Sequence, residues 1–216
     1  HLPRAAGHSE GAKNVPRIIA RAAELGLEAL ALYSFSSENW RRPPQEVQAL
    51  MHLYADYLVR ERPTLMANNV RLRHLGRRDR LPQFVLDEID ESVRVSATNT
   101  GMWLALAIDY GGRDEILRGV RRLAGRAADG ELAAEAIDEA ALSAAVDTAG
   151  LPDPDLLIRT AGEMRISNFL LWQLSYAEFY VTDVHWPDFH EAQFEEALRA
   201  HANRHRRFGA VDDSNA

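Results

Sequence analysis

Cysteine is absent from the 216-residue chain. Disulfide bridges, thiolate nucleophiles and cysteine-bound zinc are therefore excluded, and a cytosolic setting is expected. Lysine is almost absent too: of 25 basic residues, only Lys13 is not arginine. No apolar run approaches the roughly 18 residues that span a bilayer. The opening stretch HLPRAAGHSEGAK lacks the apolar core of a secretory signal. Positive charge is scarce overall, with a formal net charge of −7. Such a chain has no basic footprint for nucleic acid, and none is expected as a partner. An anionic ligand would need a local cluster of arginines, whose planar charged forks match phosphate oxygens. Neither G-x-x-x-x-G-K-[ST] nor G-x-G-x-x-G occurs, so a Walker loop and a dinucleotide fingerprint are both excluded.

What is present suits one domain with a sizeable core: 46% of residues are hydrophobic. Strand-like and helix-like runs alternate. Strands are expected in LEALALYSF, VRLRHLG, MWLALAI and DLLIRT. Helices are expected in GHSEGAKNVPRIIARAAELG, in PPQEVQALMHLYADYLVRERP opened by its prolines, in PQFVLDEIDESVRVSA, in GRDEILRGVRRLAGRA and in EAQFEEALRAHANRHRRFG. The acidic, alanine-rich stretch AADGELAAEAIDEAALSAAV reads as peripheral. This order predicts an α/β fold: a single domain over 1–209 with a mainly parallel sheet flanked by helices, and a disordered tail over 210–216.

Ligands of open parallel sheets sit beyond the carboxyl ends of the strands. Three polar loops follow predicted strands there: SFSSENWRRPPQE, DYGGRDE and RTAGEMRIS. Small residues in such loops let backbone N–H groups approach an anion, and arginines add charge-assisted bonds. The constellation points to phosphate or diphosphate. Arg4 and His8 fall near the start of the first helix, where an anion is favoured. His201 and His205 have the i, i+4 spacing of metal ligands, but with no third ligand close in sequence they read as a solvated face.

The stretch IRTAGEMRISNFLLWQLSYAE sets a cationic, hydroxyl-bearing loop directly against an apolar segment, Phe169 to Trp172, expected to be helical. A ligand with an anionic head and a hydrocarbon body would match it. Leu50, Met51, Tyr54, Leu58, Leu104 and Leu106 are candidates for a hydrocarbon tunnel.

These motifs resemble those of the cis-prenyltransferases, in particular the bacterial undecaprenyl diphosphate synthases. RAAGHSEGAK is similar to R-x-x-G-H-x-x-G. SSENWRRPPQEV is similar to S-[ST]-E-N-W-x-R-P-x-x-E-V, and YGGRDEI to Y-G-G-R-x-[DE]-I. DLLIRTAGEMRISNFLLWQLSYAE follows D-L-[IV]-I-R-T-[GS]-G-E-x-R-[LI]-S-N-F-L-L-W-Q-x-x-Y-[AS]-E, and RRFG the C-terminal R-x-G.

The resemblance implies extension of an allylic diphosphate, farnesyl diphosphate, by isopentenyl diphosphate in cis geometry. The product would be undecaprenyl diphosphate, made by a cytoplasmic homodimer with membrane contact through its lipid product. It implies Mg²⁺ as cofactor with Glu178 as a ligand. It gives Asn39 the catalytic role, on a mobile loop whose Ser36, Ser37, Glu38, Trp40 and Arg42 would bind substrate, as would Glu46 on the helix that follows. Arg4 and His8 would contact the allylic diphosphate, and Arg159, Arg165 and Ser167 the isopentenyl diphosphate. Arg207 and Gly209 would reach the partner subunit's site. The apolar segment Phe169 to Trp172 and its flanks are expected to build most of the dimer interface.

The chain departs from the pattern at Ala161, where glycine or serine is usual. It also opens after the point at which the family has a first strand and an M-D-G-N-G-R-W-A segment with a metal-binding aspartate, so the 1–209 domain is expected to lack both. Two other readings compete with synthesis: a non-catalytic partner subunit, and an unrelated phosphate-ester enzyme on an α/β sheet.

Overall fold

A computed structural model describes residues 4–204, with side chains from residue 11 onward. The strands are β1 (Ala29–Ser36), β2 (Arg71–Leu75), β3 (Trp103–Tyr110), β4 (Leu156–Arg159) and β5 (Glu178–Val181). The helices are α1 (Arg4–Glu24), α2 (Pro44–Ala67), α3 (Gln83–Ser96), α4 (Gly112–Ala128), α5 (Glu139–Ala145) and α6 (Glu191–Ala202). The α/β reading holds. β3 is the central strand of a parallel sheet ordered β1-β3-β2, and β4 and β5 form a second parallel pair.

The continuous apolar run of β3 has a physical cause: both of its faces are covered. Leu104, Leu106 and Ile108 pack with α1, α2 and α3, while Ala105 and Ala107 pack on the opposite face with Phe169, Leu170 and Leu174. β1 alternates in the same way. Leu30 and Leu32 join the first cluster, and Ala31 and Tyr33 the second.

Three expectations are corrected. α2 does not end at Pro63 but runs through it to Ala67. Val59, four residues earlier, is exposed, so water can serve the carbonyl that the proline ring displaces. Phe169 to Trp172 is not a helix. Leu170 has φ +43, and only a short 3-10 turn over Gln173–Tyr176 follows. Nor can that segment as a whole be a dimer surface, because Phe169 and Leu170 are buried in this chain's own core against Tyr33 and Tyr110. Strand β5 was not anticipated.

A cavity of about 1130 Å³ lies between the two sheets. Consecutive residues Glu28 to Ser34 line one side of it, and Pro154 to Thr160 another. Side chains of a strand alternate between faces, so an unbroken run of lining residues means that strand edges border the space. Those are the edges of β1 and β4 that no described strand pairs. α2 supplies a further wall through Leu50, Leu53, Tyr54 and Tyr57. Of the tunnel candidates, Leu50, Tyr54 and Leu106 border the cavity, whereas Met51, Leu58 and Leu104 are core.

Candidate active site

The three polar loops meet. Asn168 is the tie: its Nδ2 donates to Glu38 Oε1 (2.9 Å), its Oδ1 accepts from the Arg113 N–H (2.9 Å) and its carbonyl accepts from the Gly112 N–H (2.7 Å). Gly111 sits in the middle. A Cβ there would stand 2.6 Å from Ser37 Oγ and 2.8 Å from Asn168 Nδ2, so the junction closes only around a glycine. The amides of Gly112 and Arg113 are thus occupied by Asn168 instead of cradling an anion. The N–H groups of Ala161 and Gly162 are also taken, by the carbonyls of Val184 (2.9 Å) and Thr182 (2.8 Å). These four amides are thus bonded within the chain, while guanidinium groups of Arg159 and Arg165 border the cavity.

The first loop folds as a 3-10 turn, Ser37–Arg41, at the carboxyl end of β1. Asn39 Oδ1 accepts from the Ser36 N–H (3.0 Å), which caps the turn. Ser37 Oγ donates to Glu38 Oε2 (3.2 Å). Burial works to raise the Glu38 pKa, but bonds from Asn168 and the serines prevail, and the group titrates below the usual carboxylate range. The Trp40 indole N–H donates to Asp109 Oδ1 (2.8 Å). Arg42 pairs with Glu46 (2.9 Å) in the first turn of α2, and both border the cavity.

The third loop leaves β4. Arg159 and Arg165 border the cavity with Thr160 and Ile166. Both arginines pair with Glu163, and the Arg159 contact holds the Glu163 carboxyl below its ordinary pKa. The Arg159 Nε is buried without a hydrogen-bond partner. Ala161 has φ +63 and Ser167 φ +50. Left-handed backbone explains why glycine suits position 161: a side chain there costs about 1–2 kcal/mol. The Ser167 carbonyl accepts from the Tyr33 hydroxyl (3.4 Å).

Glu178 stands apart. It opens β5 opposite Leu156, while Arg159 lies opposite Val181. Three residues of strand separate the two levels, roughly 10 Å. Its Oε2 contacts Arg204 (3.1 Å) and His201 (3.4 Å). Burial opposes the shift, but these neighbours hold its pKa below the usual range. His201 borders the cavity and is not on a solvated face. Among the described residues, no group of three His, Asp or Glu side chains could hold a metal ion. Glu178 alone is a partial fit to Mg²⁺, which takes one or two carboxylates together with substrate phosphates.

Arg4 and His8 lie in the first turns of α1, but their side chains are outside the described residues. His205, Arg207, Gly209 and the tail 210–216 are also outside them. Sequence reasoning passed over Asn168 and Asp109. Asn168 carried a signal, a polar residue between Ser167 and an apolar run. Asp109 was hidden inside a strand pattern. No described helix is long and apolar enough to cross a membrane.

Comparison with known proteins shows the family. Residues 1–209 match a prenyltransferase family model described as "Putative undecaprenyl diphosphate synthase". An isoprenyl transferase of Rhodopirellula baltica is 52% identical, over 98% of this chain and 86% of its own length. The ditrans,polycis-undecaprenyl-diphosphate synthase ((2E,6E)-farnesyl-diphosphate specific) of Escherichia coli K12 is also 52% identical, over 97% of this chain and 83% of its own. A solved lavandulyl diphosphate synthase from Lavandula x intermedia, in complex with dimethylallyl diphosphate, superposes with a TM-score of 0.94. It is 38% identical and covers 96% of this chain and 90% of that one. A probable undecaprenyl diphosphate synthase of Campylobacter jejuni superposes at 0.82, 33% identical, over 93% and 92%. The chain belongs to the undecaprenyl diphosphate synthase family of prenyltransferases.

Proposed function

We propose that this chain extends farnesyl diphosphate with isopentenyl diphosphate in cis geometry, making a long-chain polyprenyl diphosphate, undecaprenyl diphosphate in the first instance. The observation that carries the reading is the juxtaposition of Arg42, Arg159 and Arg165 with one large apolar cavity. A diphosphate needs the first and a growing hydrocarbon the second. Arg159 and Arg165, both bordering the cavity, hold the isopentenyl diphosphate. Ser167 is assigned to the same diphosphate. Asn39 positions the isopentenyl unit for loss of its proton, with Ser36, Ser37, Glu38 and Trp40 shaping its turn. Arg4 and His8 receive the allylic diphosphate. The relatives named as synthases and transferases favour this reading over a non-catalytic partner subunit.

Mg²⁺ is the proposed cofactor, with Glu178 the residue to hold it and Lewis-acid neutralisation of diphosphate the chemistry it supplies. Glu178 is distant from Arg159 in its own chain, so no step here is assigned to the ion. A homodimer is proposed through the exposed apolar side chains of Tyr176, just ahead of β5, and of Phe179 and Val181 on that outer strand, with Arg207 and Gly209 assigned to the partner subunit's site. The enzyme works in the cytoplasm, touching the membrane through its product.

The test is incorporation of labelled isopentenyl diphosphate into farnesyl diphosphate, with product sizing. Elongation to a long-chain product is expected, and no elongation would defeat the functional reading.

A further inference from the structure

We propose that Asp109, acting with Arg80, is a positioning residue for prenyl transfer: it fixes the Trp40 indole and, through it, the turn that carries Asn39. The inference rests on the reading that this turn belongs to the substrate site.

Asp109 lies near the end of the central strand, and its carboxylate has no solvent exposure. The backbone is unusual there. Its φ is +54, a region that few residues other than glycine enter. The pairing of β1 with β3 slips at the same place: Phe35 lies opposite Ile108, but Ser36 lies opposite Tyr110. Asp109 is thus a bulge residue, and bulges re-aim a side chain out of the pleat. Close packing holds the distortion. Gly76 approaches so near that a Cβ would stand 2.7 Å from the Asp109 carbonyl oxygen, which also accepts from the Arg77 N–H (2.9 Å).

The re-aimed carboxylate is fully used. Oδ2 accepts from Arg80 Nε (2.9 Å), and Oδ1 accepts from both Arg80 Nη2 and Trp40 Nε1 (2.8 Å to the indole). The Arg80 guanidinium also lies 5.7 Å from the Trp40 ring centroid. On the other side, Phe35 meets the indole edge-on at 5.3 Å. Trp40 adjoins Asn39 in a turn of five residues, so the indole cannot shift without moving its neighbour. Arg80 comes from the loop between β2 and α3, so one buried charge links three segments distant in sequence. A strand end that needed only filling would not require a charge, a left-handed backbone and a forked arginine together.

The experiment uses the full chain in the elongation assay with Mg²⁺, comparing Asp109→Asn, Arg80→Gln, Trp40→Phe and their double variants. Asp109→Asn keeps an acceptor and tolerates the left-handed backbone but loses the charged fork. It should lower kcat about ten- to a hundredfold, with the KM for isopentenyl diphosphate changed less than about threefold and the melting temperature little altered. Arg80→Gln should show a smaller loss of the same kind. In the Trp40→Phe background, Asp109→Asn should lower kcat little further, because the path it acts through is already cut. Fluorescence assigned to Trp40 by difference from Trp40→Phe should change in Asp109→Asn.

Additive losses of kcat, or an unchanged kcat in both Asp109→Asn and Arg80→Gln, would overturn the proposal. If Asp109→Asn does not fold, the Arg80→Gln and Trp40→Phe cycle decides alone, with melting curves run beside it, because Arg80 is 41% exposed but its partner carboxylate is buried. Asn39→Ala in parallel separates the two layers. A fully active Asn39→Ala sinks the placement of the turn. An inactive one beside a fully active Asp109→Asn sinks only the positioning role.

Discussion

The turn that carries Asn39 and the loop that carries Arg165 stand at the carboxyl ends of β1 and β4, yet they are held in opposite ways. The turn is knitted to other parts of the chain: Glu38 to Asn168, Trp40 to Asp109, Gly111 packed on Ser37. The charged groups of the loop are knitted mainly to each other, with Arg159 and Arg165 sharing Glu163 and the Arg159 Nε left unpaired. A group fixed by its surroundings is suited to geometry, because its orientation is set before the ligand arrives. A group balanced by a local carboxylate is suited to binding, because an incoming anion can replace that partner at modest cost. The difference predicts that damage to the turn falls on turnover and damage to the loop on affinity.

The sharpest way to break that division is Asn39→Ala. It should cut kcat about a hundredfold, the loss seen when one oriented polar group is removed from an active site, with isopentenyl diphosphate affinity nearly retained. Steady-state kinetics with binding titrations measure both, and a pure KM effect would erase the distinction. Arg165→Ala comes next. Loss of its charge-assisted contact should cost about 1.5–3 kcal/mol, weakening isopentenyl diphosphate far more than farnesyl diphosphate. Equal weakening of both would place Arg165 elsewhere.

The tie between turn and loop gives a smaller, pH-dependent effect. The Glu38 pKa is lower in the folded chain than its ordinary value, although burial alone would raise it, because Asn168 and the serines favour the charged form. The linked stability is therefore present above the unfolded carboxylate pKa and fades as pH falls through the folded one. Asn168→Ala should lose stability at neutral pH, and its deficit against the parent should shrink on acidification below about pH 4.5. Melting curves from pH 7 to pH 3 check this, and a deficit that grows toward acid would contradict it. The smallest effect belongs to the loop. Ala161→Gly relieves a left-handed alanine and should raise stability by about 1 kcal/mol, seen as a few degrees in Tm, with kcat unchanged.

How far these features could be read from sequence depended on their range. The strands β1 to β4 and the three loops were legible because alternation and turn residues are local signals. Diphosphate chemistry was legible because arginines cluster after strand ends. Asn168 and Asp109 act through partners 130 and 69 positions away, Glu38 and Trp40, and no local pattern encodes such pairs. β5 escaped because Phe179 and Val181 are exposed, so the strand lacks the buried signature of β3. Pro63 misled because a proline stops a helix only where the freed carbonyl has no other partner. The distance of Glu178 from Arg159 follows from parallel register, which the motif's continuity in sequence concealed.

The divided sheet also bears on the order in which the chain folds. Ile158 and Tyr180 pair across 22 positions, Tyr33 and Ala107 across 74. Closing the longer loop costs roughly 1 kcal/mol more chain entropy. The β4–β5 pair is therefore the cheaper nucleus, and the β1-β3-β2 sheet pays a larger closure cost before its contacts reward it. The seam between them is then the last interface to consolidate. Hydrogen exchange during refolding would show the amides that pair β4 with β5 protected before those that pair β1 with β3.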